Sequence, residues 1–251
     1  MPKTRIVIAL GGNAIKQSHE AGTTEEQFKN VDITAEQIAA VAAEGYELVV
    51  THGNGPQAGA LLIQQEETKD VPGQTLATCG AMTQGQIGWM LQNRLDFHLK
   101  QKGIDLPVVT VVTQVLVSEN DPDFQDPTKP VGPFYTKEEA EELKKTKGYV
   151  VKEVKPGAPR SWRRVVPSPE PLGIVETKAI NALVEKDFMV IASGGGGIPV
   201  AAKPDGSHIG IEAVIDKDRA GFKLAQAVSA DHFLILTDVE KIGRASCRER
   251  V

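Results

Sequence analysis

An α/β fold follows from the order of apolar and polar residues in this chain: an open three-layer αβα sandwich around a mainly parallel sheet, with a small inserted subdomain. The expectation rests on three features. Apolar runs of strand length alternate with longer helical stretches, the rhythm of parallel strands crossed by helices. Three of those runs stop abruptly in glycines, at Gly11 and Gly12, at Gly53 and Gly55, and at residues 194–197. Between about residues 120 and 171 the rhythm breaks in a crowd of prolines, as an insertion or lid would read.

The elements can be justified in turn. Ile6-Val7-Ile8-Ala9-Leu10 is a buried strand that runs into Gly11-Gly12-Asn13-Ala14. Thr24-Glu25-Glu26 opens a helix that Gly45 closes, with Ile33, Ile38, Ala42 and Ala43 among its apolar positions. Leu48-Val49-Val50-Thr51 is the second strand, and His52-Gly53-Asn54-Gly55-Pro56 is its terminal loop. Ala60-Leu61-Leu62-Ile63 sits on a short helix. A longer helix runs from about residue 77 to 102, stops at Gly103 and sends Met82, Ile87, Met90, Leu91 and Leu95 into the core. Residues 108–113 form the next strand. In the proline-rich stretch, Thr136 and Glu139 make a capping box at a helix start. A helix over 176–186, a strand over 189–192, a hairpin turn at Asp205-Gly206, a helix over 217–228 and a buried strand over 233–237 complete the chain.

The totals set bounds. With 251 residues, 41% hydrophobic and 24% charged, the chain fits one large domain with an insertion, and 5% aromatics make its core aliphatic. A net charge of −5 argues against nucleic acid as a partner. No apolar run is long enough for a membrane helix, and no signal peptide precedes the first strand. Cys79 and Cys247 stand outside metal-type spacing, which suits a reducing cytoplasm. Residues 243–251 break the pattern and resemble a translated sequencing adapter. The expected domain is therefore 1–241, with 242–251 a non-native tail and the protein's own C-terminal segment missing.

Glycines at the carboxyl end of a buried strand leave backbone N–H groups bare where open α/β sheets bind ligands, and bare N–H groups suit anions. Two such loops suggest one anionic substrate held between them. Gly11-Gly12 lacks dinucleotide spacing, no Walker A pattern occurs, and a tight turn explains the pair as well as a phosphate cradle does. The loop at Gly53, Asn54 and Gly55 is more specific and favours binding. His52 orients that loop or simply packs. At residues 194–197, close approach of the backbone to a nucleotide explains four glycines better than a flexible connector does. Lys129, held between prolines in Pro127-Thr128-Lys129-Pro130, is either an ordinary solvated lysine or a lid lysine aimed at a phosphoryl group. Lys217 lies between Asp216 and Asp218 at a helix start, where the carboxylates would hold its ammonium; Asp216 as a plain helix cap fits as well. The five histidines are scattered, so no metal site is expected.

Together these strings resemble the carbamate kinases, a branch of the amino acid kinase family. The resemblance is carried by Ala9-Leu10-Gly11-Gly12-Asn13-Ala14, by the loop from His52 to Gln57, by Ala81-Met82-Thr83-Gln84-Gly85 and by Pro127-Thr128-Lys129-Pro130. It continues through Val165-Val166-Pro167-Ser168-Pro169, residues 194–200, and Glu212-Ala213-Val214-Ile215-Asp216-Lys217-Asp218. It implies reversible phosphoryl transfer between ATP and carbamate, giving ADP and carbamoyl phosphate. The ATP-forming direction in arginine or related nitrogen catabolism is the expected one. Gly11, Gly12, Asn13, Gly53, Asn54 and Gly55 would hold carbamate and the moving phosphoryl group. Lys129 and Lys217 would neutralise charge, with Asp216 and Asp218 orienting Lys217. Gly195, Gly196, Thr237, Asp238 and Val239 would line the nucleotide side, and Mg²⁺ would ride on the nucleotide. A cytoplasmic homodimer working on small molecules is implied. Family members continue beyond the strand at Thr237 with a further phosphate-contacting lysine, so the chain as given is expected to be inactive or poorly stable. Another amino acid kinase, or a non-catalytic nucleotide-binding protein, are the competing readings.

Overall fold

Alternation along the first strand divides the molecule into layers. Ile6, Ile8 and Leu10 face one core, and Val7 faces another. The computed structural model describes residues 3–17, 19–67 and 70–236. In chain order these form β1 (Arg5–Leu10), α1 (Thr24–Ala43), β2 (Glu47–His52), α2 (Gly55–Glu67), α3 (Leu76–Gln101), β3 (Val108–Thr110), β4 (Gln114–Leu116) and β5 (Lys129–Tyr135). They continue with α4 (Lys137–Lys147), β6 (Val151–Glu153), β7 (Trp162–Val166), β8 (Gly173–Ile174) and α5 (Thr177–Val184). The last are β9 (Met189–Ile191), β10 (Ile198–Ala202), β11 (His208–Gly210), α6 (Lys217–Ala227) and β12 (His232–Leu236).

The main sheet has the order β12-β1-β2-β9-β3, and every pairing in it is parallel. One face packs on α1 and α3 through Val31, Ala35, Ile38, Leu91 and Leu95. The other packs on α5 and α6 through Ile180, Val184, Ala220 and Leu224. This is the αβα sandwich. β1 has β2 on one side and β12 on the other, so the chain leaves β1 in opposite directions in sequence and in space. A crevice outside the carboxyl ends of the strands belongs at such a point.

A second, mixed sheet runs β11-β10-β4-β8, and a third, antiparallel one runs β5-β7-β6. The third sheet, with α4 beside it, lies inside the proline-rich stretch. Thr136 and Glu139 close the expected capping box at the start of α4. The Asp205-Gly206 turn joins β10 to β11 as a hairpin.

Four expectations need correction, and one helix needs its start placed. Residues 108–113 are not one strand: β3 ends at Thr110, and the chain then enters the second sheet as β4, because Gln84 of α3 takes both the N–H and the C=O of Thr113. Residues 60–63 sit on a helix as expected, and that helix, α2, starts inside the glycine loop, with the Ala58 N–H donating to the Asn54 carbonyl. On α1, Ile33 is 54% exposed and Ala43 is exposed, since the buried stripe runs through Val31, Ala35, Ile38 and Ala42. Met82 is 44% exposed, unlike Ile87, Met90, Leu91 and Leu95 further along α3. β12 is not buried: Leu234, Ile235 and Leu236 are exposed, because among the described residues β12 pairs with β1 alone.

Candidate active site

The carboxyl ends of β1, β2 and β9 lie side by side, and each continues into a glycine loop. The Gly11 N–H donates to the Leu236 carbonyl and the Gly53 N–H to the Leu10 carbonyl, so the sheet itself holds the first two loops. Gly12–Ala14 make a single tight turn. A Cβ on Gly53 would stand 3.6 Å from the Gly12 nitrogen and 3.3 Å from Lys217 Cδ. The first loop, the second loop and Lys217 are therefore in contact.

Lys217 opens α6, and Asp216 caps it by accepting the N–H groups of Asp218 and Arg219 at Oδ1. Lys217 Nζ donates to Asp218 Oδ1 at 2.7 Å. Lys129, the first residue of β5, donates from Nζ to Asp216 Oδ2 at 3.1 Å. Asp216 thus orients Lys129 and not Lys217, a correction to the expected pairing: one of its oxygens is spent on the helix end and the other faces the insertion. Burial alone would raise the Asp216 pKa, but the Lys129 charge and the hydrogen bonds at both oxygens outweigh it and hold the carboxyl below its ordinary range.

Two cavities open on this arrangement. One, of about 490 Å³, is lined by Gly11, Gly12, Asn13 and Lys217, with Gln17 and Thr34 behind them. The other, of about 360 Å³, is lined by Asn54, Gly55, Gly195, Lys129 and Arg163, with an apolar wall that includes Val131 and Val214. The two ammonium groups line different cavities, and the Gly53-Asn54 segment connects those cavities. Asn54 donates from Nδ2 to Thr83 Oγ1 at 2.9 Å, which fixes its side chain at the N-terminus of α2. That helix end adds positive potential.

The loop at residues 193–197 is built tightly against protein. A Cβ on Gly194 would come within 2.3 Å of His52 Nε2, on Gly195 within 2.2 Å of Asn54 Nδ2, on Gly196 within 2.5 Å of the Ile215 carbonyl, and on Gly197 within 2.2 Å of Val115 Cγ2. These neighbours account for the glycines without a nucleotide. Gly195 borders the smaller cavity, and Gly196 lies against the segment leading to Asp216. His52 is fully buried. Its Nδ1 bonds the Gly53 carbonyl, and burial pushes its pKa down to about 4, against the raising effect of that bond. It is a neutral imidazole that props two loops.

A buried polar network beneath the loops had no clear signal in the sequence. Ser193 N–H donates to Thr113 Oγ1, Thr51 Oγ1 donates to the Ser193 carbonyl, and Gln84 spans the Thr113 backbone. Its members lie as far as 142 residues apart. Arg163 was also missed; the basic pair Arg163-Arg164 beside Val165-Val166-Pro167 was the available hint. Thr237, Asp238, Val239 and the segment 242–251 lie outside the described residues. Among the described residues, no group of three or more His, Cys, Asp or Glu side chains could hold a metal ion, and no helix is long and apolar enough to cross a membrane.

The chain matches the profile of the amino acid kinase family over residues 4–249. It is 54% identical to the carbamate kinase of Pyrococcus furiosus over 238 residues, which is 94% of this chain and 74% of that protein. It is 56% identical to the carbamate kinase of Thermococcus kodakarensis over 239 residues, 94% of this chain and 75% of that one. Among solved structures, carbamate kinase from Giardia lamblia bound to AMP-PNP is similar with a TM-score of 0.87 and 44% identity, covering 94% of this chain and 74% of that one.

Proposed function

This chain belongs to the amino acid kinase family, and from that premise we propose that it is a carbamate kinase, moving a phosphoryl group between ATP and carbamate, with ADP and carbamoyl phosphate as the other pair. It is a phosphotransferase. The observation that carries the reading is the placement of Lys129 and Lys217, each with its own aspartate, on two cavities that flank the Gly53-Asn54 segment at the glycine-lined strand ends.

The chemistry fits what these residues offer. In the ATP-forming direction the bond from phosphorus to the carbamate oxygen breaks, and a bond to a β-phosphate oxygen of ADP forms. Both oxygens are anionic when they act, so no proton has to be removed and no general base is needed. What the transition state needs is alignment and positive charge around the phosphoryl oxygens. Backbone N–H groups at Gly12 and Gly55, with Asn13 and Asn54, hold carbamate and the phosphoryl group. Gly11 and Gly53, expected to offer bare N–H groups, instead donate theirs to the Leu236 and Leu10 carbonyls and serve the site by bringing the two loops together. Lys129 and Lys217 screen its charge, positioned by Asp216 and Asp218 respectively. Gly195 and Gly196, with Thr237, Asp238 and Val239, belong to the nucleotide side. Mg²⁺ arrives on the nucleotide and adds charge neutralisation there. ATP formation, in arginine or related nitrogen catabolism, is the physiological direction in this reading. The partners are small molecules and a second copy of the chain. Trp89 and Val112, exposed beside the edge strand β3, support a homodimer. The buried free thiol of Cys79 suits a cytoplasmic setting.

The test is incubation of the purified full-length protein with ADP, Mg²⁺ and an acyl phosphate, reading ATP. Carbamoyl phosphate should give ATP, while acetylglutamyl phosphate and aspartyl phosphate should not. ATP from either of those with none from carbamoyl phosphate, or binding of ADP and carbamoyl phosphate without transfer, overturns the reading. Lys217→Met should lower the rate about 10²–10³-fold, comparable to loss of one oxyanion donor at about 2.7–4 kcal/mol.

A further inference from the structure

Arg163 and Arg164 are neighbours on β7 with opposite surroundings. Arg164 has a conventional structural setting: Nη2 donates to Glu212 Oε2 at 2.8 Å, and the guanidinium lies 4.2 Å from the Tyr149 ring centre. Arg163 has no carboxylate in an ion pair among the described residues. Its Nη2 donates to the Gly132 carbonyl at 2.6 Å, and its guanidinium lies 5.1 Å from the Phe134 ring centre. Its Nε–H is buried with no acceptor. The side chain lines the cavity of about 360 Å³ that Lys129, Asn54 and Gly195 also line.

This placement is constructed by the strand. The register of β5 against β7 slips between Val131 and Tyr135. Gly132 sits in that slip with φ +69°, a left-handed conformation suited to glycine, and there its carbonyl receives Arg163. A half-buried guanidinium with an orphaned donor and no counter-charge is costly unless an anion arrives to complete it. Burial pushes its pKa down, opposed by Tyr135, which is the electrostatic mark of the same shortfall.

We propose that Arg163 is a substrate-binding residue of this site, taking the carboxylate oxygens of carbamate, or the carbonyl oxygen of carbamoyl phosphate, while Lys129 faces the phosphoryl group. The assignment rests on the carbamate kinase reading and deepens it. A planar guanidinium edge matches a planar carboxylate with two parallel hydrogen bonds, whereas an ammonium acts on a phosphoryl group as a point charge. The two cations line one cavity, so one acyl phosphate can meet both. Arg163 thereby favours a planar carboxyl head, and the apolar wall around Val131 and Val214 leaves little to satisfy a longer polar acceptor.

The experiment titrates wild type, Arg163→Gln and Arg163→Lys with carbamoyl phosphate and separately with ADP by calorimetry, alongside a melting curve of each. Arg163→Gln should weaken carbamoyl phosphate at least tenfold and leave ADP within twofold. Arg163→Lys, which keeps charge and stem but loses the fork, should recover part of the affinity. It also carries the comparison if the Gln variant fails to fold. Carbamoyl phosphate affinity within twofold of wild type in both variants, or equal weakening of both ligands, overturns the assignment of Arg163 alone. A wild-type chain that binds ADP but not carbamoyl phosphate overturns the functional reading, and this assignment with it.

Discussion

Asp216 serves three partners with two oxygens: the N–H groups of Asp218 and Arg219 at Oδ1, and the Lys129 ammonium at Oδ2. Asparagine can still cap a helix but cannot pair a cation, while alanine can do neither. Asp216→Asn should therefore leave denaturant stability near wild type, and Asp216→Ala should lose about 1 kcal/mol. Both should slow phosphoryl transfer tenfold or more in the ATP-coupled assay, since Lys129 is released. Two glycines give a second contrast. A Cβ on Gly194 collides with His52 Nε2 at 2.3 Å, whereas a Cβ on Gly12 meets nothing within 4 Å. Gly194→Ala should cost about 1–3 kcal/mol of stability by overpacking. Gly12→Ala should melt like wild type yet bind carbamoyl phosphate poorly, because the space it fills belongs to the ligand. Sequence cannot separate these two glycines. Both follow an apolar run, and what stands opposite each is set by residues far along the chain.

Helix α2 connects the site to the insertion. Its first turn lies at Gly55, and near its other end Glu66 accepts the hydroxyls of Tyr135 at 3.2 Å and Tyr149 at 3.1 Å. Burial, and then the Glu66 charge, push the Tyr135 pKa above its ordinary value, so the phenol remains a donor at neutral pH. Hydrogen bonds to a charged acceptor contribute about 1.5–3 kcal/mol each. Glu66→Ala should speed amide exchange across β5, β6 and β7 by more than tenfold while β1 and β2 keep their protection; uniform exchange changes would sink the idea of a local clamp. The α4 capping box was readable because its two residues are three apart in sequence. The Glu66 clamp was not, since its partners are 69 and 83 residues away and none of the three belongs to a recognisable local motif.

For the fold at large, the continuous apolar runs of β1 and β2 ending in glycines, and their alternation with helical stretches, were enough to give the layers and the strand ends that carry the glycine loops. The division of residues 108–113 between two sheets was hidden, because the decision is made by Gln84 from another element. The exposure of β12 was hidden too, because apolarity reports what a strand could bury and not which neighbours it has. Global stability should carry the signature of His52. The unfolded histidine takes a proton below its ordinary value of 6.5, and the folded one resists until about 4. The unfolded state binds more protons in that window, so stability is full above pH 6.5 and declines as pH falls toward 4, by on the order of 3 kcal/mol. Denaturant midpoints between pH 7 and 4.5 should fall for wild type and flatten for His52→Gln.

The sheet order has a temporal consequence. β1 leaves a ribosome well before β12, yet the carbonyl that receives Gly11 N–H is that of Leu236, and Arg5 pairs with Asp231, 226 positions later. Closing so distant a contact is slow and comes after local structure. During synthesis the opening glycine turn must wait, half-supported by β2, until β12 emerges and docks. A nascent chain thus has its α1, α3, α5 and α6 layers before it can grip a phosphate.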